Sequence, residues 1–164
     1  MFLYIILRIS IESCPKGDDP LTPIGDYRTI TITTSATSGT FGGTFKLTFN
    51  GDSFNFPADP SSWDSTACEA SFAGLLNVKR VSCSTPVTSG TAYAQYTVQF
   101  VEWPILPVDT NIYENDGNPA ATAFVCDPYS VSGTVDATCT IADVSANNLP
   151  GIYTKLACLM CMNS

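Results

Sequence analysis

The chain opens with an alternation of side chains that is typical of a β-strand. Every odd position from 1 to 11 is apolar, whereas the even positions change from apolar to polar along the segment. Successive side chains of a strand point to opposite faces, so the odd residues share one face. These residues are Met1, Leu3, Ile5, Leu7, Ile9 and Ile11. Residues 1–12 are therefore predicted to form an extended strand with a continuous apolar face.

Two other interpretations of residues 1–12 fit less well. A signal peptide carries its basic residues before the apolar run, but Arg8 lies inside it. A transmembrane helix needs about 20 apolar residues, so no membrane span is expected here. Residues 13–26 are rich in Pro, Gly and Asp, which predicts an extended linker. A strand on such a linker can enter a neighbouring subunit, or it can be the first strand of its own sandwich.

Residues 27–164 are predicted to form one β-sandwich domain. Several segments alternate apolar and polar residues, and Asn50-Gly51 is a strong signal for a type I′ hairpin turn. A second turn is predicted at 38–43, a short strand at 121–126, a long one at 131–141 and a last one at 152–162. The expected inward residues are Ile30, Ile32, Phe45, Leu47, Phe49, Phe54, Phe56, Ala94, Tyr96, Val98, Phe100, Val131, Val135, Ala137, Cys139 and Ile141.

One short helix is predicted at about residues 65–76. Thr66 and Glu69 have the spacing of a capping box, in which each side chain bonds a backbone amide at the helix start. Helical spacing would turn one face to the core. That face comprises Cys68, Phe72, Leu75 and Leu76. The predicted fold is therefore all-β: a two-sheet sandwich of jelly-roll or immunoglobulin-like type, with one helix and an extended N-terminal strand.

Seven cysteines indicate an oxidising compartment, and so an extracellular protein that is secreted or held at the cell surface. They are Cys14, Cys68, Cys83, Cys126, Cys139, Cys158 and Cys161. A Cys68–Cys83 bond would tie the helix to a strand, and Cys126 can bond to Cys139. Cys158 or Cys161 is the natural partner of Cys14, and this bond would link subunits if the N-terminal strand is donated.

Charge and composition exclude several functions. The net charge is −8, with only seven Lys and Arg residues, so a nucleic-acid partner is not expected. The absence of histidine excludes Ser-His-Asp and Cys-His catalysis and histidine zinc sites. The pair Cys158 and Cys161 lacks the βαβ context of a redox centre. The chain is therefore expected to be no enzyme and to hold no cofactor or metal.

A few residues still merit testing as binding groups. Residues 114–118, with Asp109 and Asn111, are the best calcium candidate, although they lack the spacing of an EF-hand. The acidic side chains Asp52, Asp59 and Asp64 are candidates for a glycosidase pair. Trp63 and Trp103 are either sugar-stacking side chains or core residues. Glycans are a further candidate partner, through O-linked sugars on the threonine-rich turns 33–40 and 85–91.

A loose motif carries a resemblance to known proteins. It consists of Gly-Gly-Thr-Phe-Lys-Leu-Thr-Phe-Asn-Gly at 42–51, then Cys68–Val81, then the strand Tyr96–Phe100. Over residues 38–103 the chain resembles extracellular β-sandwich modules of surface and fibrous proteins of microbial eukaryotes. Its whole layout is similar to filament subunits that use a jelly-roll-like domain and N-terminal strand complementation, as pili do. That resemblance implies a helical homopolymer that can carry glycans.

Two functions follow as expectations. The first is the structural subunit of an extracellular helical filament, which polymerises head-to-tail by inserting residues 1–12 into the neighbouring sandwich. The second is a secreted carbohydrate-binding or adhesion module that does not polymerise and keeps the N-terminal strand in its own sheet.

Overall fold

The computed structural model describes residues 28–102 and 120–144, which form two antiparallel sheets and one α-helix. The elements are β1 (Thr29–Ser35), β2 (Ser38–Phe49), β3 (Asp52–Pro57), α1 (Ser65–Ala73), β4 (Arg80–Cys83), β5 (Val87–Thr88), β6 (Tyr93–Glu102), β7 (Phe124–Val135) and β8 (Thr138–Asp143). The first sheet has the order β4-β6-β1-β8, with β5 also paired to β6, and the second has the order β3-β2-β7. The predicted all-β two-sheet sandwich with a short helix is confirmed.

A bent ribbon of four strands joins the two sheets. Strand β1 pairs with β8 in the first sheet, and its continuation β2 pairs with β7 in the second. The register continues across the bend, because Ser35 faces Thr138 and Ser38 faces Val135. The amide of Thr37 donates to the carbonyl of Val135 at 3.0 Å. Strands β7 and β8 therefore lie on the same side of the sandwich, one at the edge of each sheet.

Glycines permit an unusually close approach of β2 and β7. Gly39 and Gly43 have φ of +99° and +77°, in the region that side chains rarely adopt. A Cβ on Gly43 would lie 1.9 Å from the carbonyl oxygen of Ser130. The register of the pair shifts between Gly39 and Gly42, as at a β-bulge. The turn predicted at 38–43 is therefore wrong: this segment is the bulged first half of β2.

The alternation along β1, β2, β3 and β6 builds the core. In β1 the isoleucines Ile30 and Ile32 are fully buried between threonines that face outward. Asn50 and Gly51 both have positive φ, as a type I′ turn requires, and they join β2 to β3. The buried aromatic residues from both sheets are Phe41, Phe45, Phe49, Phe56, Trp63, Phe72, Tyr96, Phe100 and Phe124.

Helix α1 starts and ends differently from the sequence prediction. Its N-cap is Asp64, whose carboxylate accepts from the amide of Ala67 at 2.9 Å. The predicted capping box is wrong, because Glu69 instead accepts from the amide of Cys83 at 3.1 Å and fixes the helix to β4. The helix ends at Ala73, before Gly74. Leu76 therefore leaves the helical face and is 62% exposed rather than in the core.

Residues 121–141 also depart from the expected pattern. A short 3-10 turn occupies Ala121–Ala123, and β7 then runs without interruption from Phe124 to Val135. The predicted strands 121–126 and 131–141 are wrong in their bounds. The real break lies at Asp136, whose φ of +53° helps to turn the ribbon into the other sheet. Val135 is exposed beside this break instead of facing the core.

Candidate functional site

The three aspartates proposed as a glycosidase pair all accept backbone hydrogen bonds. Asp52 accepts from the amide of Leu76 at 2.8 Å, and Asp64 caps α1. Asp59 accepts from the amide of Ser61 at 2.9 Å, and this bond is the main reason that its pKa lies below the usual value. Each carboxylate therefore stabilises a turn or a helix start. In the described part of the chain, no three Cys, Asp or Glu side chains cluster to hold a metal ion.

Trp63 lies in the core and not on a sugar-binding surface. Its side chain is 1% exposed and stacks on Phe56, with ring centroids 4.2 Å apart. Its indole N–H donates to the hydroxyl of Ser71 at 3.0 Å, so its one polar group is paired. Of the two alternatives left open by the sequence, the structure supports the core role. Trp103, the calcium candidate at 114–118 and its companions Asp109 and Asn111 lie outside the described residues.

The hydroxyl of Tyr96 is the one titratable group with a large pKa shift in the described region. Tyr96 is 1% exposed, and its hydroxyl has no hydrogen-bond partner there. Burial, with a smaller contribution from the charge of Asp59, raises the pKa of Tyr96 from 10.0 to about 12. The nearby Asp59 carboxylate is held by the amide and hydroxyl of Ser61 at the start of a 3-10 turn. We therefore treat Tyr96 as a core residue.

Alkaline pH is expected to destabilise the domain through Tyr96. Because the folded pKa is raised, the protonated hydroxyl contributes its full stability below pH 10, and this contribution is lost progressively as the pH rises towards about 12. Thermal unfolding followed by circular dichroism across this range measures the loss. Tyr96→Phe removes the titrating group and should show a flatter pH dependence. An equal slope in both proteins would contradict the assignment.

Within residues 28–102 and 120–144, two disulfides lie on opposite sides of the sandwich, and both are pairings that the sequence suggested. Cys68–Cys83 joins α1 to β4, and Cys126–Cys139 joins β7 to β8 with a Cα–Cα distance of 5.5 Å. The first is buried, because Cys68 and Cys83 are 0% and 8% exposed. Closing a loop of 15 residues stabilises a fold by about 3 kcal/mol. These bonds fit an oxidising compartment.

The side of the sandwich formed by β3 and β4 is covered. Helix α1 packs against both strands. It buries Cys68 and Phe72 there, and Leu75 just beyond its end is also buried. The chain's own helix therefore covers much of the core on this side, although Phe54 of β3 is only partly buried.

The opposite side, formed by β7 and β8, is covered much less. Phe124 at the start of β7 is buried, but the other core-facing apolar residues of these strands are only partly buried, in contrast to the fully buried Ile30 and Ile32 on neighbouring β1. We call this surface the β7/β8 flank, and it comprises Cys126, Val131, Ala137, Cys139 and Ile141. Among the described strands, none pairs with the outer edges of β7 and β8. The flank thus combines half-covered apolar side chains with two strand edges.

The sequence pattern predicted the inward direction of Val131, Ala137, Cys139 and Ile141, but not that these side chains would be only partly buried. The apolar residues of the predicted N-terminal strand lie outside the described part of the chain, as do Cys14, Cys158 and Cys161. These strand residues are Met1, Leu3, Ile5, Leu7, Ile9 and Ile11. Within residues 28–102 and 120–144, no helix has the length and apolar character needed to cross a membrane.

Comparison of the chain with protein-family models, with curated proteins and with solved structures finds no match.

Proposed function

We propose that this protein is the structural, non-enzymatic subunit of an extracellular helical filament. Residues 1–12 of one copy add as a strand to the β7/β8 flank of the next copy. The observation that carries the proposal is the unequal covering of the core. Helix α1 packs over one side, whereas most core-facing residues of the flank are only partly buried and the outer edges of β7 and β8 are unpaired among the described strands. A strand whose six odd residues are all apolar has the chemistry needed to complete that covering.

The length of the donated strand matches the length of the acceptor strand β7. A strand of 12 residues is about 40 Å long, and β7 itself has 12 residues. The edges of β7 and β8 offer backbone groups for main-chain hydrogen bonds, while side chains at alternate positions of the added strand meet the core. The linker 13–26 gives the strand the reach to leave its own domain.

The contact between the donated strand and the flank is expected to be strongly stabilising. Burying six large apolar side chains gives about 1.5–3 kcal/mol each, before the costs of ordering the strand are subtracted. A head-to-tail contact uses different surfaces on the two partners, so it propagates along a filament and does not stop at a dimer. The two disulfides support an extracellular location for such an assembly.

Adjacent isoleucines allow a matched test of the donor strand. We expect Ile5→Asp to abolish filaments, because the charge would enter the core face of the neighbour at an odd position. Ile6→Asp introduces the same charge on the other face of the strand and should leave assembly nearly unchanged. Negative-stain electron microscopy and sedimentation velocity measure the outcome. Equal assembly of the two variants would contradict strand donation, and so would a wild-type chain that remains a monomer of 17.5 kDa.

The acceptor surface has its own matched pair. Ile141 is half-buried on the flank, whereas its neighbour Ala142 is exposed on the other face of β8. Ile141→Asp should stop a subunit from accepting a neighbour's strand but leave it able to donate its own. Ala142→Asp should impair neither strand acceptance nor strand donation. Mixing Ile5→Asp subunits with Ile141→Asp subunits should therefore give heterodimers of twice the chain mass and no longer species. Circular dichroism of each variant checks that it is folded.

A further inference from the structure

The part of the first sheet's outer face that β1 and its neighbours form is rich in hydroxyl and amide groups. Outward residues of β1, β6 and β8 stand next to each other across the sheet: Thr31 faces Thr97, while Thr33 lies between Gln95 and Thr140. The amide of Gln95 donates to the hydroxyl of Thr33 at 3.3 Å. We call this surface the threonine face, and it comprises Thr31, Thr33, Gln95, Thr97, Thr138 and Thr140.

The ion pairs of the described region lie at the margins of the threonine face, and Asp136 lies in the turn that precedes Thr138. Arg28 is paired with Asp143 at one end of the sheet, and Glu102 is paired with Lys79 and Arg80 at its β4 edge. On the outer face of the other sheet, Lys46 stands opposite Asp127. The whole chain carries a net charge of −8, so two copies repel one another over most orientations.

We propose that the threonine face binds the same face of a second copy and thereby joins filaments side by side. This inference rests on the proposed filament. A contact between identical surfaces brings each group near its own counterpart, so a face with carboxylates would repel itself. A face of threonine hydroxyls meets no such repulsion, and each hydroxyl can both donate and accept a hydrogen bond.

The area of the threonine face determines whether the contact can join free subunits or only filaments. Three strands spaced by about 4.8 Å and some seven residues long cover roughly 350 Å² per copy. A stable protein interface buries about 800 Å² per partner, so one contact is too small to hold two free subunits together. Along two aligned filaments the contact repeats with every subunit, and many weak contacts then act together. The expected product is a bundle of filaments and not a dimer of free subunits.

The test compares charges placed on the two outer faces. The variant Thr31→Lys/Thr140→Lys puts two charges on the threonine face, and Thr48→Lys/Asn55→Lys puts the same two charges on the other sheet. Electron microscopy of assembled wild-type protein should show bundles, which low-speed sedimentation collects. We expect the first variant to form single filaments with at least a tenfold loss of sedimented protein, and the second to keep its bundles.

Several outcomes separate this inference from the proposed function. Bundles that persist in Thr31→Lys/Thr140→Lys, or wild-type filaments that stay single at every concentration and salt level, overturn the lateral contact alone. No filaments of any kind overturn both proposals. Binding of single wild-type filaments, but not of this variant, to a neutral glucan resin would assign the face to carbohydrate and overturn self-association. Raising the salt should strengthen bundling, because it screens the remaining repulsion.

Discussion

Replacing Trp63 by alanine is expected to lower the free energy of unfolding by about 3–5 kcal/mol. Trp63 packs between Phe56 of β3 and Tyr96 of β6, with ring centroids 4.2 and 4.6 Å away. Its indole also bonds to Ser71 in α1. The substitution therefore opens a cavity where both sheets and the helix meet. Neighbouring side chains cannot fill it without leaving their own contacts.

Urea unfolding followed by far-ultraviolet circular dichroism measures the effect of Trp63→Ala. Trp63→Phe is the control, because it keeps an aromatic ring in the same place and should cost clearly less. The same pair of variants tests the carbohydrate-binding alternative. A Trp63→Ala protein with unchanged unfolding but lost glycan binding would place the indole on a sugar and contradict its core role.

Gly43→Ala is the second substitution with a large expected effect, about 3 kcal/mol or more. Gly43 has a φ of +77°, where an alanine pays the cost of a left-handed conformation. The new Cβ would also lie 1.9 Å from the carbonyl oxygen of Ser130, which belongs to the backbone of β7 and cannot rotate away. The two strands must therefore separate locally, in the middle of β2.

Substitutions at two other glycines separate the conformational from the steric contribution to the loss of stability in Gly43→Ala. Gly90 has a φ of +63° and nothing within 4 Å of a built Cβ, so Gly90→Ala should cost only the conformational term, about 1–2 kcal/mol. Gly42 lacks a positive φ, and its nearest neighbour is the mobile hydroxyl of Ser132 at 3.0 Å. Gly42→Ala should cost least. Chemical denaturation of the three variants should give this order, and equal losses at Gly43 and Gly90 would exclude the steric contribution.

The sequence predicted most of the core because inward and outward residues differ sharply in polarity. Threonine and isoleucine alternate through β1, so the pattern alone identified Ile30 and Ile32 as buried. The same approach gave a wrong prediction for residues 38–43, because glycines with positive φ occur both in turns and in bulged strands. Only the pairing with β7, nearly a hundred residues away in the chain, separates the two possibilities.

The candidate site was less predictable than the core. Alternation indicates which way Cys139 and Ile141 point, but their exposure depends on what lies beyond the edge of the sheet. The role of Trp63 was undecided for the same reason, because its partners Phe56 and Tyr96 come from separate strands. The donor strand was inferred from its pattern alone, and the matched pair Ile5→Asp and Ile6→Asp is its direct test.

In the proposed filament, the two disulfides of the described region would also set how far the domain can stretch under tension. Their cysteines lie 15 and 13 residues apart, and the chain between them cannot be drawn out while the bonds are intact. At about 3.5 Å per extended residue, they withhold roughly 100 Å of length from each unfolded subunit. A fibre of such subunits would be less extensible in an oxidising medium than in a reducing one, so the cysteines limit mechanical strain.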